Sequence, residues 1–108
     1  EDDHTFSLVA SEKVHHNRPS IDVTFESAAA IYGTALIGIL LSGANADGAE
    51  GMRAIARQGG YTIIHQPATA EVSYMPQQAI NIMKADNILE GTAIAHFLRN
   101  LLSGPGNR

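Results

Sequence analysis

The chain has 108 residues, a formal charge of −4 and a pI near 5.6, the size of one small domain able to bury roughly two-thirds of its surface. An acidic balance with no Lys/Arg cluster excludes nucleic acid, which asks for a basic face, and makes an anionic membrane surface an equally poor partner. The absence of cysteine removes disulfides, thiolate catalysis and zinc–cysteine sites and suits a cytoplasmic protein, while the longest apolar stretch, residues 35–41, is far below the ~20 that insert across a bilayer.

The chain starts at Glu1 with neither an initiator Met nor a signal peptide, and is expected to be a piece of something longer. Residues 1–17 form a polar, hairpin-like lead-in. Within it Phe6, Leu8 and Ala10 alternate with Thr5, Ser7 and Val9, a weak strand signal. "NRPSIDVTFESAAAIYG" then reads as a helix. Pro19-Ser20 supplies the break and cap, Asp22 suits the positive N-terminal end, and Gly33 the stop. Ile21, Phe25, Ala28, Ala29 and Tyr32 recur at steps of three and four, giving one apolar face.

"TALIGILLSG" is a continuous apolar run, the mark of a strand covered on both faces. Ala49, Met52, Ile55 and Ala56 make the next helical stripe, ended by Gly59-Gly60, and "YTIIH" is a second buried strand. Met75-Pro76 opens another helix, with Pro76 early, where its missing N–H costs nothing. Ala79, Ile80 and Met83 form its stripe. "NIL" at 87–89 is a short strand. Thr92 is the expected cap of a closing helix with Ile94, Phe97, Leu98 and Leu101 inward, and 103–108 is a flexible tail. Strict alternation of helix and strand predicts an α/β fold: a doubly wound, mostly parallel, Rossmann-like sheet, with residues 1–108 forming part of a single domain.

Ligands of such sheets bind at the carboxyl ends of the strands, where "SGANADG" and "HQPATAEVSYMP" fall. The single carboxylate Asp47 is therefore the first candidate, with three readings open. Gly43 and Gly48 have the G-x-x-x-x-G spacing of a phosphate loop, but Ala49 and Glu50 follow where Lys and Ser/Thr are needed. Asp47 with Glu50 three residues on is an acidic variant of the capping box, the reading the residues alone favour. The third makes Asp47 the acid that orients a histidine for a serine nucleophile, although nothing in the chain identifies either partner.

Three segments, "NRPSIDVTFESAA", "IGILLSGANADGAEGMRAIARQGGYTI" and "ATAEVSYMPQQAI", resemble in order and spacing the C-terminal half of CheB-type chemotaxis methylesterases. The family pattern there runs R-P-S-x-D-x-L-F-x-S-A-A, I-L-T-G-M-G-x-D-G-x-x-G and A-T-x-x-x-x-G-M-P, and the match spans residues 18–89. The resemblance implies hydrolysis of glutamyl methyl esters on methyl-accepting chemotaxis receptors, in many members also glutamine deamidation, by a Ser-His-Asp triad without cofactor or metal. Asp47 matches the triad acid. Serine and histidine belong to the N-terminal half of the same catalytic domain, which is thus an expected partner; whether a receiver domain precedes it the sequence does not decide. Direct membrane insertion is not expected.

The chain departs from the family pattern at Ala44-Asn45, in place of Met-Gly, and at Tyr74, in place of Gly before Met75. Ala44, Asn45, Tyr74 and Met75 are the candidate substrate-binding residues, Met75 mainly as wall packing. The departures keep a second reading in view, a non-catalytic relative used as a binding or signalling module. His65 stands opposite a residue that is usually glutamine in the family and reads as a solvated or capping side chain rather than the base. His15-His16 are adjacent, so a strand sends them to opposite faces, and they lack a third ligand. His4 and His96 read as surface residues and Arg18 as a tie from the helix start to a neighbouring loop. Ser42 is not a nucleophile, as G-x-S-x-G is absent. The 108 residues alone are expected to be inactive, and marginally folded because residues 35–41 need neighbours on both sheet edges.

Overall fold

The computed structural model describes residues 6–10, 21–43 and 48–103. Their order is β1 (Phe6–Ala10), α1 (Ile21–Tyr32), β2 (Leu36–Leu40), α2 (Ala49–Arg57), β3 (Tyr61–His65), α3 (Tyr74–Ile82), β4 (Asn87–Leu89) and α4 (Gly91–Ser103), with single 3-10 turns at Gly33–Ala35 and Pro67–Thr69. The strands form one parallel sheet in the order β1-β2-β3-β4, as the helix–strand alternation predicts.

Because right-handed crossovers all step in one direction, the connecting helices α1, α2 and α3 gather on one face. There Leu36, Leu40 and Ile64 of the sheet pack with Phe25, Ala29, Met52, Ile55, Met75 and Ala79. The alternate residues Ile37, Ile39 and Ile63 point the other way and meet Ile94, Phe97, Leu98 and Leu101 of α4. Covering both faces is what makes 36–40 uninterruptedly apolar, and every residue of β2 is buried.

Two expectations change. The neighbours that β2 needs are both within the chain, since it lies between β1 and β3; among the described residues the outer strands are β1 and β4, so the expected cause of marginal folding does not hold. Thr92 is not the first cap residue of α4. The helix begins at Gly91, the Ile94 N–H already donates to the Glu90 carbonyl at 2.9 Å, and Thr92 is exposed.

The one buried polar side chain among the described residues, Thr62, ties β3 to the start of β4. Its N–H and hydroxyl donate to Asp86 Oδ2 at 2.8 and 3.2 Å, and its hydroxyl accepts the Asp86 N–H at 3.1 Å. Every polar atom of the Thr62 side chain that leaves water is thereby satisfied.

α1 and α2 meet without a side chain between them at Gly51. A Cβ there would stand 2.6 Å from Phe25 Cβ and 3.1 Å from Asp22 Cα, so a glycine inside the helix lets the two backbones close up. In an open helix position Gly→Ala stabilises by about 1 kcal/mol. Here Gly51→Ala is expected to destabilise by about 1–3 kcal/mol, the usual cost of overpacking, and urea denaturation that gives a stabilised or neutral variant would refute the close approach.

Candidate active site

β2 delivers the chain to the carboxyl edge of the sheet, and the loop beyond it is braced at each end. Leu41 N–H donates to the Ala10 carbonyl at 2.8 Å, prolonging the β1–β2 pairing by one residue. Ser42 Oγ then donates to the Val72 carbonyl at 3.1 Å and accepts the Val72 N–H at 2.8 Å. Gly43 continues the zipper: its N–H donates to the Val72 carbonyl at 2.9 Å, and its carbonyl accepts the Met75 N–H at 2.8 Å. The two segments singled out from the sequence are therefore bound to each other along residues 42–43 and 72–75. Ser42, set aside as a nucleophile, is the clasp between them. Sequence reasoning misses it because its partner lies thirty positions away.

The far end of the loop is braced by a different group. α2 begins at Gly48, whose φ of +113° suits only glycine, and Gly48 has no side chain with which to cap the helix. The Gly48 and Gly51 N–H groups instead donate to one oxygen, Asp22 Oδ1, at 2.9 and 2.8 Å. Asp22 comes from the first turn of α1, so a carboxylate of one helix caps another. Glu50, the second member of the expected capping box, turns outward and accepts from Arg53 Nη2 at 2.8 Å. The amides of Gly43, Gly48 and Gly51, which a phosphate loop would turn toward its ligand, thus have protein acceptors.

Asp47, Ala44 and Asn45 lie outside the described residues, as do Arg18, His4 and His15-His16. Of the remaining site candidates, Tyr74 is the first residue of α3 and is 49% exposed, beside the exposed Val72. Met75 turns inward and is fully buried in the core cluster of α1, α2 and α3. It packs in the core rather than lining a surface, so it offers no exposed atom to a substrate. His65 follows the pleat to the same face as Ile63, the face of α4 rather than of α2. The ring lies against Gly91 at the start of α4, with Nε2 buried and without a hydrogen-bond partner among the described residues. The side chain is thus half-buried, on the face of α4. His96 is exposed, as expected. Among the described residues no His/Cys/Asp/Glu cluster could hold a metal, and no helix is long and apolar enough to cross a membrane.

A parallel α/β sheet whose central strand ends in a braced, glycine-flanked loop defines a class in which ligands are handled at the carboxyl edge. Comparison with known proteins supplies the particular family. The CheB methylesterase family model matches residues 2–98, and the chain belongs to that family. A relative in Leptospira interrogans is 45% identical over 100 residues, 92% of this chain and 52% of its own length. The protein-glutamate methylesterase/protein-glutamine glutaminase 2 of Bordetella avium is 37% identical over 105 residues, 97% of this chain and 30% of that protein. The crystal structure of the Thermotoga maritima CheB methylesterase catalytic domain superposes with a TM-score of 0.72 at 33% identity, over 84% of this chain and 48% of that one. The chain thus spans about half the length, or less, of the relatives it matches.

The Ser42 clasp gives a direct check. Ser42→Ala removes both hydroxyl bonds to Val72, which at a partly solvated site is expected to cost about 1 kcal/mol. It should also raise amide exchange at Val72 and Met75 while leaving the β2–β3 ladder protected; unchanged exchange at both would rule the clasp out.

Proposed function

We propose that this chain is the acid-bearing half of the catalytic domain of a receptor methylesterase, acting on glutamyl methyl esters of chemotaxis receptors. Serine and histidine are supplied by the other half of the domain. The serine attacks the ester carbonyl while the histidine takes its proton; the histidine gives that proton to the departing methoxide, methanol leaves behind an acyl-enzyme, and water activated by the histidine releases the free glutamate. Asp47 accepts the histidine N–H, fixing its tautomer and stabilising the imidazolium that forms. A glutamine side chain would be deamidated by the same sequence with ammonia as the leaving group. No step needs a cofactor.

The observation that carries this reading is the bracing of the chain at both ends of the 44–47 segment, by Ser42 and Gly43 on Val72 and Met75 and by Asp22 at Gly48. The family match and the names of the relatives support the reaction class. Tyr74, with Ala44 and Asn45, would then form the wall against which the receptor helix is laid. Among the described residues no strand pairs with the outer side of β1, which carries the exposed Phe6 and Val9, and the other half is expected to join there. β4, only Asn87–Leu89, is too short to serve as well. The protein would work in the cytoplasm, where a receiver domain could govern it.

The second reading, a non-catalytic CheB-like binding or signalling module, rests on the altered residues Ala44, Asn45 and Tyr74. Methanol release from methylated receptor by the full-length protein separates the two. Asp47→Asn is expected to lower kcat by about 10⁴, as loss of the triad acid's charge does in serine proteases, and the 108 residues alone should release no methanol. A folded, full-length protein with no activity would establish the module instead.

A further inference from the structure

We propose that Val72, together with Tyr74, is a specificity-determining contact: the two read an apolar side chain of the receptor helix close to the esterified glutamate, and so set affinity for the protein substrate rather than the rate of the chemical step. The inference rests on the methylesterase reading and names the part of the substrate that this edge of the sheet recognises.

Val72 is 42% exposed, and Tyr74 is exposed two residues on. A single apolar side chain in water is ordinary; what sets this one apart is the backbone beneath it. Connections between elements are as a rule mobile, yet both polar groups of the Val72 main chain are engaged. Its N–H donates to Ser42 Oγ at 2.8 Å, and its carbonyl accepts from Ser42 Oγ at 3.1 Å and from the Gly43 N–H at 2.9 Å. Three residues on, the Met75 N–H donates to the Gly43 carbonyl and its side chain is fully buried. Tyr74 therefore stands between two anchors, and Met75 already fills the place in the core that this stretch of chain could reach. The backbone holds Val72 and Tyr74 outward. Side chains presented from a fixed backbone lose little further freedom when a partner covers them, so a small apolar area can contribute to affinity.

Charge decides the kind of partner. Glu71 is the only charged residue from 66 to 83, so the segment offers apolar surface rather than ion pairs. In a helical substrate the residues three and four positions from the target lie on its face, with Cβ atoms about 5–6 Å apart. A glutamyl ester brought to the carboxyl end of β2 carries these neighbours with it. Residues 72–75 are bonded directly alongside that strand end, within reach of a neighbour one helical turn from the ester.

The test is kcat and KM for methanol release from methylated receptor by the full-length protein. Val72→Thr keeps the shape and the β-branch and exchanges one methyl for a hydroxyl. It is expected to raise KM about 4-fold, the worth of one buried methyl group, with kcat within about twofold, the pattern of a contact made equally in ground and transition states. Val72→Ser should raise KM about 10-fold, Tyr74→Ser should act in the same direction, and Val72→Leu should restore a KM near that of the original protein. The Ser42 bonds involve only the main chain of residue 72, so amide exchange at 72 and Met75 should be unchanged in all four variants. An unaltered KM in Val72→Thr and Val72→Ser overturns the inference, as does a loss confined to kcat or one that accompanies faster exchange at 72 and Met75, either of which makes Val72 a brace. No methanol release by the folded, unsubstituted protein would instead sink the methylesterase reading, and this inference with it.

Discussion

The join between α1 and the start of α2 depends on one oxygen atom, Asp22 Oδ1, and on the glycine that lets it arrive. Each hydrogen bond from a backbone amide to a charged acceptor contributes about 1.5–3 kcal/mol, less at a half-buried site such as this one. The two bonds to Gly48 and Gly51 join elements that belong to different crossovers. They form only if α1 and α2 touch backbone to backbone, which Gly51 permits and any side chain would prevent. The carboxylate and the glycine are therefore one device: Gly51 without Asp22 would leave an uncapped helix, and Asp22 without Gly51 would be held out of reach.

A second constraint acts from the sheet. Because β2 is paired on both sides and covered on both faces, its carboxyl end is a fixed point. The chain leaving it is held again by Ser42 and Gly43 on Val72 and Met75, and then by Asp22 at Gly48. Buried Met75 roots the first of these braces in the core. Exposed Tyr74 is thereby carried beside the loop. Tyr74 directly precedes Met75 in the chain, and Ala44 directly follows Gly43, so both adjoin this bonded pair in sequence.

Local periodicity makes the elements legible. The stripes of α1 and α4, the uninterrupted run of β2 and the glycine stop after α2 all report nearest-neighbour geometry along one segment, and each is readable from its own residues. The part Asp22 plays at α2 is missed for the same reason. Asp47 and Glu50 have capping-box spacing, whereas the amides of Gly48 and Gly51 find their acceptor in Asp22, whose distance along the chain carries no signal. The Ser42 clasp and the Thr62–Asp86 pair are of this kind too, polar side chains whose partners are set by topology. The sequence also places His65 at a strand end but not on a face. The pleat sends it to the α4 side, and only packing against Gly91 makes its ring half-buried. The role of Asp47 comes from resemblance to a family, since the residues alone favour a cap.

The groups that hold the two ends of the segment between β2 and α2, Asp22, Leu40, Ser42, Gly48, Gly51, Val72 and Met75, all belong to this chain. None of these bonds or contacts crosses the outer edge of β1. Pairing of a further strand there would therefore leave both ends of the segment as they are, because β2, α1, α2 and α3 already fix them from within.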